Sequence, residues 1–385
     1  MADRISKSLV VNGSTLISES DWNAELDAKH SRVVESLKAQ KLAGVLIRRH
    51  ENIAWLTGGA VEVRVLTPCE TGVAAVLVTA AGKRFYFTTE NEAPRLNDEE
   101  FGALDFEPVI FPWYADETNA KAAALAGGAL GSDTPVAGAA LVNLYPLRAA
   151  LGQAEIARYR WLAAQSAAAT VESLHHVAPG MTEFDLESMT SAALLKRGIQ
   201  PSVYLYAVDE RILKYKHAVP RGATLKSYGM LNLCARKWGL TVSLTRFVHF
   251  GALPAELAER FNAAAQVNAA LLHATREGAT SAQLFHAAQA AYAAQGYPGE
   301  ERFHHQGGPT GYWEREWVAT PTGADAVVNG QAFAWNPSIR GGKVEDTVLL
   351  RDGNIEILTA TPQLPVIDAT VNGANYPAAG VLVKE

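Results

Sequence analysis

The chain has 385 residues, 48% hydrophobic and 19% charged, with a formal net charge of −6; that length calls for two cores, and the composition is that of a globular protein. The negative balance, without any basic cluster, argues against nucleic acid as a partner, because binding phosphates needs a basic face. Two cysteines far apart, Cys69 and Cys234, give no disulfide framework and no metal-ligand spacing, and the simplest reading is a reducing cytoplasm.

The N-terminal stretch MADRISKSLVVNGS lacks the apolar segment of a signal peptide, and no run of about 18 apolar residues is present to cross a membrane. Residues 22–41 set Val33, Val34 and Leu37 at helical spacing among charges and predict a helix. The next segment, AGVLIRRHENIAWLTGG, alternates short apolar runs with polar breaks and reads as strands. The run GVAAVLVTAAGKRFYFTT predicts a hairpin around a Gly-containing turn. Helix–strand alternation continues to about residue 143, and a domain boundary is expected near 150, separating domains 1–150 and 151–385. Beyond it, residues 152–177 predict a long amphipathic helix, broken by Pro179-Gly180. Thr182 with Asp185 then forms a capping-box start for the next helix. Helices are expected near 253–277 and 281–295, and a closing hairpin turns at Asp352-Gly353-Asn354.

Three segments carry a resemblance. YGMLNLCARKWGLTVSLTRFVHFG (228–251), HHQGGPTGYWERE (304–316) and FAWNPSIRGGKVEDTVLLRDGNIEILT (333–359) resemble, in order and spacing, the metal-binding segments of the creatinase, prolidase and methionine aminopeptidase superfamily. The run Ala54-Trp55-Leu56-Thr57-Gly58 is similar to a motif of that family's N-terminal domain. The resemblance implies an α+β protein: a creatinase-like α/β domain, then a C-terminal pita-bread domain. In the family, Asp, Asp, His, Glu and Glu hold two metals. The matching positions here are Asn232, Ser243, Gly308, Asn336 and Glu345. One carboxylate cannot balance two divalent cations, so no metal and no cofactor is expected. Adjacent histidines on a strand face opposite sides, so at most one of His304 and His305 is expected to face the pocket.

The resemblance also assigns roles. His217, in LKYKHAVPRG, matches the general acid/base of creatinase, a member that works without metal, and imidazole titrates in the right range. Lys214 and Lys216 are expected to favour its free base. Glu345 is expected to hold His217 in its charged form or to bind a substrate ammonium or amide. Arg315 falls where the family often has a substrate-contacting histidine, and a guanidinium there suits a carboxylate or phosphate; Glu316 is expected to anchor it or to act as an acid. Asn232, Ser243 and Asn336 are expected to donate neutral hydrogen bonds to substrate. Tyr204, Tyr206, Trp238, Tyr312, Trp313 and Trp335, with His305, suggest an aromatic wall. Arg64 and Trp55 lie in the segment that reaches the neighbouring subunit in creatinase-like dimers, making Arg64 a candidate for an anionic group. Cys234 is a candidate thiol nucleophile or a small packing residue. The expectation is a metal-independent, cytoplasmic, homodimeric hydrolase cleaving an amide, urea or amidine C–N bond in a small molecule. The alternatives are a catalytically silent pita-bread binding protein and an Xaa-Pro metallopeptidase with rebuilt ligands.

Overall fold

Ser18 starts the first long helix, Glu19–Gln40, by accepting from the Asp21 backbone N–H, and Glu19 and Asp21 complement the positive end of the helix dipole. The computed structural model describes residues 8–11 and 13–385; of the N-terminal stretch MADRISKSLVVNGS, residues 1–7 and 12 lie outside the described residues. Contacts divide the chain into two compact units, Met1–Arg158 and Tyr159–Glu385. The division falls inside the helix Gln153–His176.

The first unit is built on a mixed sheet of six strands among the described residues. Its order is Glu107–Phe111, Arg84–Thr89, Thr71–Thr79, Gly44–Arg49, Leu130–Ser132 and Ala140–Leu141. The expected hairpin is present, Thr71–Thr79 pairing antiparallel with Arg84–Thr89. One expectation is corrected. Only Gly44–Arg49 of the segment read as strands is a strand, and His50–Leu56, holding Ala54, Trp55 and Leu56, is a helix. All seven residues of that helix are buried, so it shows no polar face and its sequence carries no helical period. Leu46, Leu77, Phe85 and Phe87 belong to one apolar core cluster of this unit. Nearby, Lys29 pairs with Glu25 at 2.6 Å and Glu155 at 2.9 Å, and Arg158 bonds Glu25.

The second unit packs long helices against two four-stranded sheets. Strands Val381–Lys384, Leu240–Phe250, Tyr228–Lys237 and Gln200–Val208 form the first, and Gly307–Thr310, Ala332–Trp335, Asp346–Arg351 and Asn354–Ile357 the second. Trp238 and Gly239, both at positive φ (54° and 76°), make the two-residue turn that sets the first register. Asp352 and Gly353 do the same for the second, with φ of 49° and 76°. Thr182 and Asp185 form the expected capping box before the helix Glu183–Leu195. The helices Ala255–Ala274 and Ser281–Ala294 bury Leu271, Leu272, Leu284 and Tyr292 in one core with Phe333 and Trp335. Thr347 joins the sheets: its Oγ1 accepts from the Ser243 N–H at 2.8 Å and donates to the Ser243 carbonyl at 2.9 Å.

A carboxylate held by two cations beside three histidines

Residues directly opposite one another in an antiparallel ladder share a face. Asn232 lies opposite Thr245 and Cys234 opposite Ser243, so these four point the same way. Glu345 lies just before the strand Asp346–Arg351, and the Thr245 N–H donates to its carbonyl. Its side chain, 3% exposed, is the centre of a hydrogen-bonded cluster. Oε2 accepts from Asn232 Nδ2 at 2.6 Å, Thr245 Oγ1 at 2.7 Å and Lys343 Nζ at 2.9 Å. Oε1 accepts from Arg315 Nη2 at 2.8 Å, and Arg315 Nη1 donates to Ser243 Oγ at 3.0 Å. Burial alone would raise the Glu345 carboxyl. The charges of Lys343 and Arg315, with the Thr245 bond, outweigh it and hold the pKa at about 2. Burial pushes the neighbouring Cys234 thiol up to about 12, which removes it as a nucleophile at neutral pH.

The second cluster is uncharged. His217 Nε2 and His304 Nε2 are 2.9 Å apart. The His304 and His305 rings stack at 4.4 Å, and the His217 ring stands edge-on to His304 at 4.8 Å. Burial first, then the Lys343 charge, lowers the pKa of His217, and that of His304 to about 2. Burial followed by the Arg315 charge lowers His305 to about 4. All three are therefore neutral near pH 7.

Several expectations change at this point. Both His304 and His305 approach His217, because they follow a 3-10 turn, Glu300–Phe303, in irregular backbone where strand alternation does not apply. Glu345 does not hold His217 charged; its pull is weaker than burial and Lys343 together. The lysines nearest in sequence are engaged elsewhere, Lys214 with Glu210 and Lys216 with Glu300. The influential cation is Lys343, which sequence reasoning missed, although the spacing of two from Glu345 is a same-face spacing on an extended chain. Arg315 is anchored by Glu345, while Glu316 donates its backbone N–H to the Pro309 carbonyl. The Asn232 and Ser243 side chains form their hydrogen bonds inside the cluster.

The aromatic wall is not formed as expected. Tyr204 and Tyr206 pair with Leu233 and Leu231, the face opposite Asn232. Tyr206 is core beside Leu174 and Leu186, and Tyr204 is exposed. Trp335 is also core, stacked on Phe333 with Nε1 donating to Thr275 Oγ1 at 3.0 Å. Trp238 packs on Trp161 beside its turn, and Tyr312 is buried. Asn336 is buried, and its Oδ1 has no hydrogen-bond partner among the described residues. In the first unit, Arg64 is taken up by Glu62 and the Thr67 carbonyl, and Trp55 is fully buried.

Residues 157–352 match the model of metallopeptidase family M24, and residues 29–145 match that of the creatinase/prolidase N-terminal domain. Among solved structures the chain is similar to an Xaa-Pro dipeptidase from Bacillus anthracis. The TM-score is 0.73 at 15% identity, covering 93% of this chain and 100% of that one. It is likewise similar to the prolidase from Pyrococcus furiosus, with TM-score 0.69, 16% identity, and coverage of 85% and 99%. The N-terminal domain of FACT complex subunit SPT16 from Cicer arietinum gives TM-score 0.62 at 11% identity, covering 88% and 97%. Identities this low establish the fold alone. No curated protein matches the chain in sequence.

A metallopeptidase family implies metal, and the five matching positions do not fit it. Both Glu345 oxygens are already bonded, one of them by Lys343 and the other by Arg315. Position 308 has no room for a ligand, since a Cβ there would lie 2.0 Å from the Trp317 carbonyl oxygen.

Proposed function

The chain belongs to metallopeptidase family M24, a family of hydrolases, and on that premise we propose that it hydrolyses a C–N bond of a small anionic molecule without metal at the family's positions. The observation that carries this reading is the Glu345 cluster. Lys343 and Arg315 stand where positive charge from metal would otherwise be needed, and with Glu345 they leave one net positive charge. A fixed positive site stabilises charge that develops on an attacked carbonyl or amidine carbon's substituent. It also favours a substrate carrying a carboxylate.

His217 supplies the proton chemistry. A neutral imidazole with a lone pair accepts a proton from water as hydroxide adds to the carbon. The same proton then passes to the departing nitrogen as the C–N bond breaks. The reactants are substrate and water, and the products are an acid or its equivalent and an amine. Glu345, ionised and fully bonded, is a positioning residue that holds Arg315 and Lys343. A homodimer in the cytoplasm belongs to the same proposal. Among the described residues no helix is long and apolar enough to cross a membrane.

The test is a panel of N-acyl, ureido and amidino carboxylic acids offered to chelator-treated protein. Turnover that survives chelation and falls about 10²–10⁴-fold in His217→Ala is the expected result. Turnover restored only by added metal overturns the reading. No turnover on any member, with the panel binding unchanged in His217→Ala, would instead favour a binding protein.

A further inference from the structure

We propose that His217, His304 and His305 form a binding site for a single late-transition-metal dication, Zn²⁺ or Co²⁺ in type. The site is separate from the five positions matched to the family's ligands. One ring nitrogen from each residue lies within 4.8 Å of the others. The closest pair, Nε2 of His217 and Nε2 of His304, is 2.9 Å apart. With Zn–N bonds of about 2.0–2.1 Å, a tetrahedral ion separates its ligand nitrogens by roughly 3.3 Å. The closest pair therefore needs to open by about 0.4 Å, and the others to close by at most about 1.5 Å, within reach of side-chain rotation.

Hydrogen bonding leaves the trio unsatisfied as it stands. A single contact joins His217 to His304. His304 Nδ1 is buried without a partner among the described residues, and the His305 ring makes no hydrogen bond among them. That freedom matters, because His305 now stacks on His304 and must turn its ring to aim a lone pair at the ion. His217 and His305 keep an edge to solvent while His304 is half-buried, which leaves an entry path for the ion.

The donor set decides the class of metal. Three imidazole nitrogens and no carboxylate favour zinc, cobalt, nickel or copper over magnesium or calcium. Three protein ligands also leave a fourth position open. The net positive charge of Lys343, Arg315 and Glu345 close by favours an anion there, such as hydroxide, chloride or a carboxylate. An ion at this site takes the lone pair that the reaction proposed above draws from His217. The metal-loaded protein is then the inactive form. The binding itself does not rest on that reaction.

The experiment uses untagged, full-length, chelator-stripped protein. Co²⁺ is titrated while the visible ligand-field absorption is recorded, and Zn²⁺ is titrated by calorimetry. The expected result is one ion per chain, with tetrahedral-type cobalt absorption. Affinity should fall about tenfold or more in each of His304→Ala and His305→Ala. Circular dichroism guards against unfolded variants, and His305→Gln, at a solvent-facing ring, gives a second variant. Binding unchanged in both His304→Ala and His305→Ala overturns the proposal, as does binding abolished by Glu345→Gln but not by His304→Ala. Absence of any binding also overturns it. Turnover of the stripped protein reports on the reaction alone, so the two readings fail separately.

Discussion

Two clusters in the second unit have opposite electrostatic designs. Around Glu345, one buried carboxylate takes two cations and hydrogen bonds from Asn232 and Thr245, which leaves one net positive charge. Around His217, no charge is present near neutral pH, and most ring nitrogens have no protein partner among the described residues. The contrast separates a fixed surplus of positive charge from a set of open lone pairs. A network built on a buried, fully bonded carboxylate is costly to break and offers a ligand only that surplus charge. The neutral histidines cost less to disturb and offer lone pairs.

The largest test of this contrast is Glu345→Gln. It leaves Lys343 and Arg315 as buried cations without an anion and should destabilise the fold by about 3–5 kcal/mol, read by urea unfolding. His217→Ala should change stability by less than about 1 kcal/mol. Equal losses would erase the distinction between the clusters. Next in size is Gly308→His, which forces a side chain against the Trp317 carbonyl; a loss of about 1–3 kcal/mol is expected, with no gain in metal bound.

Acid unfolding sharpens the same point. The Glu345 carboxyl sits at about 2 in the folded chain against an ordinary value of 4.5. A folded pKa below the unfolded one stabilises the fold above the unfolded value. Its contribution is therefore complete above pH 4.5 and is lost as pH falls toward 2. The urea unfolding free energy of the parent should fall through that window, and the Glu345→Gln profile should be flatter there. The smallest effect concerns His217. Lys343→Met removes a positive charge that opposes protonation, so the His217 pKa should rise toward 6.5, read by NMR titration. Lys216→Met, which loses a partly exposed pair with Glu300, should leave that pKa unchanged and cost about 0–1 kcal/mol.

Much of the architecture was legible from local signals. The Asp352-Gly353 turn, the Thr182–Asp185 capping box and the apolar hairpin 72–89 each depend on a few neighbouring residues, and each is present. The site was less legible because its geometry depends on pairing across long distances. Tyr204 and Tyr206 could be placed on the far face only once their partners, Leu233 and Leu231, were known. His304 and His305 sit in irregular backbone, where no period predicts direction. Lys343 reads as one more exposed lysine until its ammonium is seen 2.9 Å from Glu345. The helix His50–Leu56 was missed for a related reason: buried on every side, it has no amphipathic stripe to read.

Gly308 carries a consequence for any attempt to install metal. A histidine placed there meets the Trp317 carbonyl, and acids placed around Glu345 meet Lys343 and Arg315, already bound to it. Neither change gains anything without the other. The obstacle is a double lock made of one missing Cβ and two side chains.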